Sequence, residues 1–111
     1  MDLQTRIENN AIVVTISGRL DVVTALEYEK RIRELIDSGN SYFVVDFEQL
    51  DYISSAGLRA LLLMAKLLKE KCGQVCLANV KGNVQSVFEM SGFTTIFNMK
   101  DSIAAALAVL I

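Results

Sequence analysis

Two adjacent serines carry the chemical interest of this chain. Ser54 and Ser55 lie between an apolar run, Tyr42-Phe43-Val44-Val45-Asp46-Phe47, and the leucine-rich Leu58-Arg59-Ala60-Leu61-Leu62-Leu63. The change from a β-rich run to a helical run predicts a strand, a turn and then a helix that begins at the serines. A hydroxyl at that place stands beside unpaired backbone N–H groups and the positive end of the helix dipole, where a phosphate is well received. The residues therefore point to a phosphorylation switch. The simpler reading is an N-cap, in which a serine oxygen accepts a helix N–H and contributes about 1 kcal/mol.

Other serine chemistries find little support. A Ser-His hydrolase needs a base to take the hydroxyl proton, and the chain has no histidine. Ile53-Ser54-Ser55-Ala56-Gly57 departs from the G-x-S-x-G elbow, and the lysines show no spacing that marks a serine-lysine pair. Neither G-x-G-x-x-G nor G-x-x-x-x-G-K-[ST] occurs, so no dinucleotide or ATP site is announced. The expectation is a protein that is not an enzyme and carries no cofactor.

Composition narrows the class further. With 111 residues, 52% of them hydrophobic, the chain suits one compact domain over residues 1–111. A net charge of -2 without a Lys/Arg block argues against nucleic acid as a partner. No apolar stretch approaches the roughly 20 residues of a membrane span, and Met1-Asp2-Leu3-Gln4 does not open like a signal peptide. A soluble, cytoplasmic protein with no membrane association is expected. Cys72 and Cys76, the only cysteines, do not complete a four-ligand zinc site without histidine, and they read as reduced structural thiols.

The elements that must position the serines follow from periodicity. Leu3 to Ile7 and Ala11 to Ser17, around Asn9-Asn10, read as a hairpin. Thr24-Ala25-Leu26-Glu27 reads as a capping box, and Ala25, Tyr28, Ile32, Leu35 and Ile36 keep a helical period up to Gly39. Tyr42 to Phe47 is a buried central strand, and a helix from about Ala56 to Cys72 stops at Gly73. Strands at Gln74 to Asn79 and Thr95 to Phe97, a short helix over Val84 to Met90 and a terminal helix over Ser102 to Leu110 complete the order β-β-α-β-α-β-α-β-α. This is an α/β pattern, a single mixed sheet with helices packed mainly on one face and an antiparallel edge at the start.

On the second helix, Leu58, Leu61, Leu62, Ala65, Leu68 and Cys72 share the expected core face, opposite Arg59, Lys66 and Glu70. Leu63 and Leu67 fall at its margin, either covered by a neighbouring helix or exposed as an apolar partner surface. Gly57 allows either tight helix-sheet packing or close approach of a partner to the serine backbone. Arg59 is either a solvated charge or a contact for an acidic group on a partner.

Three segments, taken in order, resemble the single-domain STAS family, the bacterial anti-sigma factor antagonists. They are Gly18-Arg19-Leu20-Asp21-Val22-Val23-Thr24-Ala25, Val45-Asp46-Phe47 continuing to Ile53-Ser54-Ser55-Ala56-Gly57-Leu58, and Phe88-Glu89-Met90-Ser91-Gly92-Phe93. The resemblance spans nearly the whole chain and implies a STAS-type sheet. In that family the phosphorylated serine lies two positions before the glycine, which corresponds to Ser55. Many members place an acid before it and Ser or Thr after it, whereas this chain has Ser54 and Ala56, so Ser54 stands as the alternative acceptor. Asp21 matches an aspartate that lies beside the phosphosite and helps partner recognition; it equally suits a helix cap.

The resemblance implies a partner-binding face of Asp21, Ser54, Ser55, Ala56, Gly57 and Arg59, and a monomer is expected to use it in a partner-switching cycle. The unmodified form binds an anti-sigma factor that is also an ATP-dependent serine kinase and frees the sigma factor; phosphorylation on Ser55 ends that binding, and a metal-dependent serine phosphatase restores it. A different class of reading is a STAS scaffold or cytoplasmic subunit of a transport complex, with Ser55 only a cap.

Overall fold

The hairpin, the parallel crossovers and the helices all form, and the computed structural model describes residues 1–110. Strand β1 (Asp2–Glu8) pairs antiparallel with β2 (Ala11–Leu20). Asn9 and Asn10, with φ of 52° and 65°, make the two-residue turn that suits the twist of a hairpin. Helix α1 (Val22–Asp37) leads to β3 (Tyr42–Ile53), α2 (Ser55–Glu70) to β4 (Gln74–Ala78), and α3 (Gly82–Ser91) to β5 (Asn98–Lys100) and α4 (Ile103–Val109). The sheet order is β1-β2-β3-β4-β5, with every pair after the first parallel. The expected α/β class and element order hold.

Alternation along the strands divides the apolar residues between two faces. Val14, Ile16, Phe43, Val45, Phe47 and Leu77 point to the face covered by α1, α2 and α3, where Tyr28, Ile32, Leu61, Met64 and Phe88 complete the main core. Phe88 meets Phe47 edge-on with ring centroids 5.7 Å apart, which pins α3 to the central strand. On the other face Val13, Val44 and Cys76 pack beneath Ala106 and Leu107 of α4.

Several boundaries differ from expectation for identifiable reasons. The capping box belongs to Asp21 and Thr24, three residues before the predicted Thr24-Glu27 pair, because the Asp21 N–H finds the Thr24 hydroxyl at 2.8 Å. Strand β3 runs six residues past Phe47: Glu48, Gln49, Asp51 and Tyr52 are exposed, while Leu50 and Ile53 keep the strand on the core. Register irregularities opposite Thr15 to Arg19 let this longer strand stay in step with β2, so that Leu20 faces Ile53.

The predicted strand at Thr95–Phe97 is instead a 3-10 turn over Phe93–Thr95 followed by Ile96 and Phe97, with β5 beginning at Asn98. Phe97 is buried against Phe88 at 6.3 Å, so its aromatic payload serves the core from a turn. On α2 the core face rotates: Ala60 and Met64 are buried, whereas Leu62 is exposed, and the helix stops at Glu70, which leaves Cys72 in the exposed turn beyond it. Leu67 and Ala65 pack at the edge of the core, and Leu63 is half-buried. Cys72, at φ 58°, takes the left-handed turn expected of Gly73. Gly73 is needed for another reason, since a Cβ there would collide with the Ser41 carbonyl.

Candidate functional site

The end of the sheet where β2 and β3 finish gathers the residues singled out in the sequence. The Ser54 N–H donates to the Leu20 carbonyl at 2.9 Å, and this bond brings the starts of α1 and α2 together. Asp21 follows Leu20 directly and Ser55 follows Ser54, so both lie on the same rim.

The two serines have different surroundings. Ser54 is the N-cap of α2, half-buried, with its Oγ accepting from the Gly57 N–H at 3.2 Å. Ser55 is the first helical residue and is exposed, and among the described residues no hydrogen bond engages its hydroxyl. One serine therefore closes the helix end while its neighbour offers a free hydroxyl to water.

Asp21 caps α1. Its Oδ1 accepts from the Val23 N–H at 3.1 Å and the Thr24 N–H at 3.0 Å. These donors, Thr24 foremost, hold the carboxyl below the usual carboxylate range, with a smaller contribution from the Arg19 charge. The Thr24 hydroxyl in turn donates to the Arg19 carbonyl at 2.8 Å, and the Arg19 guanidinium lies 4.0 Å from the centre of the Tyr52 ring. Asp21 is thus a cap that keeps its charge near the serine rim.

Gly57 is buried, and its bare α-carbon faces inward. A Cβ there would stand 2.8 Å from Ile53 Cγ1 and 2.9 Å from the Leu20 oxygen. The glycine serves close packing of α2 on the ends of β2 and β3. Ala56 is half-buried and Arg59 exposed, both turned toward a groove between α1 and α2.

That groove, about 540 Å³ in volume, escaped the sequence reading. Its α1 wall includes Val22 and Leu26, and with Val23 these are large apolar side chains left in water. Their position directly after the cap is the available signal: once Asp21 starts α1, a helical wheel puts Ala25, Tyr28, Ile32 and Ile36 inward and leaves Val22, Val23 and Leu26 without core partners. Among the described residues no three His, Cys, Asp or Glu side chains converge as a metal site, and no helix is long and apolar enough to cross a membrane.

Comparison with known proteins agrees with this architecture. The STAS domain family model matches residues 2–106. The chain belongs to the STAS domain family. BtrV of Bordetella bronchiseptica, whose name describes it as a candidate anti-sigma factor antagonist, is 39% identical over 97 residues, covering 87% of this chain and 84% of BtrV. A Thermotoga maritima structure titled as a candidate of the same kind superposes with a TM-score of 0.92 at 16% identity, covering 97% of this chain and 93% of that one. The Bacillus cell fate determinant SpoIIAA, solved in its phosphorylated form, gives a TM-score of 0.76 at 22% identity, covering 96% and 97%. These two structural likenesses establish a shared STAS fold.

Proposed function

We propose that this STAS protein is an anti-sigma factor antagonist whose partner binding is switched by phosphorylation of Ser55. The observation that carries the proposal is the division between the serines: Ser54 Oγ is committed to the Gly57 N–H, whereas Ser55 is exposed at the first turn. The name of BtrV and the phosphorylated form of SpoIIAA support the direction of this reading.

In the unmodified state the rim around Asp21 and Ser55 docks on an anti-sigma factor, which releases its sigma factor. The same partner acts as the kinase. Ser55 Oγ attacks the γ-phosphorus of ATP held by that partner, a new O–P bond forms, the bond to ADP breaks, and the hydroxyl proton passes to a base of the kinase. ATP belongs to the partner, and this chain is a substrate without catalytic activity of its own. A metal-dependent serine phosphatase delivers water to the phosphorus and returns the hydroxyl with release of inorganic phosphate. The cycle runs in the cytoplasm, with the antagonist as a monomer.

Phosphorylation adds about -1.5 to -2 charges and three acceptor oxygens. In the free protein the N-terminus of α2 and solvent accommodate them, so no refolding is required. In the complex the phosphate has to lose water beside the Asp21 carboxylate, and both effects oppose docking. A hundredfold loss of affinity corresponds to only about 2.7 kcal/mol.

The test is incubation of the purified protein with the anti-sigma factor kinase of the same genome and ATP, followed by intact-mass measurement and peptide mapping. One phosphoryl group on Ser55, absent in Ser55→Ala while that variant still binds the partner, is the expected result. Labelling confined to Ser54 moves the site, and no labelling together with no binding favours the transport-subunit reading, in which Ser55 stays unmodified.

A further inference from the structure

The groove between α1 and α2 has the composition of an interaction surface. Its floor is made of Ala25, Ala56 and Ala60, whose short side chains leave the two helices a trough where larger residues would have closed the gap. Val22 is 68% exposed, Leu26 69% and Leu62 39%, and apolar surface continues outside the trough onto Val23, which is 76% exposed. Water contact over so much clustered apolar area is unfavourable and is relieved when another surface covers it.

Charge at the margins is one-sided. Arg59 and Lys66 stand seven residues apart on α2, flanking Leu62 and Leu63, and neither forms an ion pair among the described residues. The acid on the opposite wall, Glu29, is already engaged by Arg33 at 3.2 Å. The rim therefore offers two unmatched cations. Two helical turns separate them, about 10 Å of rise, a length that matches the spaced anchors of a helix laid in a groove.

We infer that this groove seats an acidic amphipathic helix of the anti-sigma partner, an inference that rests on the partner-switching reading above. Apolar side chains of that helix fill the trough over Ala25, Ala56 and Ala60, and its carboxylates meet Arg59 and Lys66. A fatty acid is the less suitable occupant, because small ligands are held in concave sites that bury most of their surface, and here Val22, Val23 and Leu26 stand on an open wall. The head of the groove is Ala56, the residue after Ser55, so a phosphate there confronts the carboxylates of the same bound helix. The groove thus gives the switch an acidic target to repel.

The experiment is titration calorimetry of the full chain against the purified anti-sigma factor of the same genome, with hydrogen exchange measured on the complex. Leu26→Gln combined with Leu62→Gln alters exposed positions only, and a thermal melt checks that its fold is intact. This variant, and separately Arg59→Glu with Lys66→Glu, is expected to weaken binding by about tenfold or more. The charge variant should also flatten the salt dependence, and the complex should slow exchange over residues 22–29 and 56–66. If both variants bind within about twofold of the parent, or protection lies elsewhere, the groove is not the seat and the phospho-switch is untouched. If the groove variants fail while Ser55→Asp binds normally, the groove stands and the switch falls. If the parent binds no anti-sigma factor, the functional reading fails and takes this inference with it. Saturable binding of sodium oleate that the Leu26→Gln, Leu62→Gln variant abolishes, with partner binding unchanged, overturns the helix in favour of a lipid.

Discussion

The Ser54 N–H and the Leu20 carbonyl, 2.9 Å apart, tie the end of β2 to the start of α2. Ser54 adds a second restraint through its Oγ, which accepts from Gly57. Ser54→Ala removes only the side-chain cap, so urea denaturation should show a loss of about 1 kcal/mol. Ser55→Ala removes a hydroxyl with no hydrogen-bond partner among the described residues and should leave the midpoint unchanged. Equal losses in the two variants would refute the division of roles between the serines.

Gly57 is expected to be intolerant despite its helical position. Alanine normally gains up to about 1 kcal/mol over glycine in a helix interior, but here the added carbon meets Ile53 and the Leu20 carbonyl at under 3 Å. Overpacking of this kind costs about 1–3 kcal/mol. Gly57→Ala should therefore be destabilised in a thermal melt, and Gly57→Val more so. A stabilised alanine variant would show that α2 can lift from the strand ends freely.

Asp21 links stability to acid. Its carboxyl is held below the usual range by the Thr24 and Val23 N–H groups, so its contribution is complete above the unfolded value of about 3.9 and is lost as pH falls through the lower folded value. Asp21→Asn retains an acceptor for the cap but does not titrate, and its stability should fall less steeply below about pH 4. Asp21→Ala should lower the midpoint at neutral pH more than Asn does. Binding to the proposed anti-sigma partner separates the second role: if Asn folds like the parent yet binds more weakly, the charge itself contacts that partner.

Tyr28 gives a test of the core. Its ring is fully buried, its hydroxyl meets the Met64 sulfur at 3.1 Å, and burial pushes its pKa far above the ordinary tyrosine value. A thioether is a weak acceptor, so Tyr28→Phe should change stability by no more than about 1 kcal/mol. Tyr28→Ala should cost about 3–5 kcal/mol through the cavity it leaves. A large loss in the phenylalanine variant would mean that the hydroxyl bond matters more than its acceptor suggests.

Much of this architecture was legible because the decisive signals were local. Asn9-Asn10 marked the hairpin, Gly92 ended α3 at φ 78°, and the apolar runs at Phe43 and Val75 alternated with helical periods. The errors arose where tertiary contacts outweighed local pattern. Leu62 looked inward on an ideal wheel, but the packing of α2 against α1 and the sheet chose Met64 instead. β3 looked finished at Phe47 because Glu48 and Gln49 break the apolar run, although pairing with β2 carries it to Ile53. The serine rim was readable from one short segment, whereas the groove depends on two helices brought side by side by strands that lie far apart in sequence.

Among the described residues, the seven-residue α4 is the one helix over the reverse side of the sheet, where Val13, Val44 and Cys76 lie under Ala106 and Leu107 with Leu110 packed beside them. Fraying of so short a lid uncovers a flat, strand-borne oily surface remote from the serines. Self-association during storage or overexpression is expected to begin there, so a tag or fusion that perturbs this helix will harm solubility before it disturbs the serine rim.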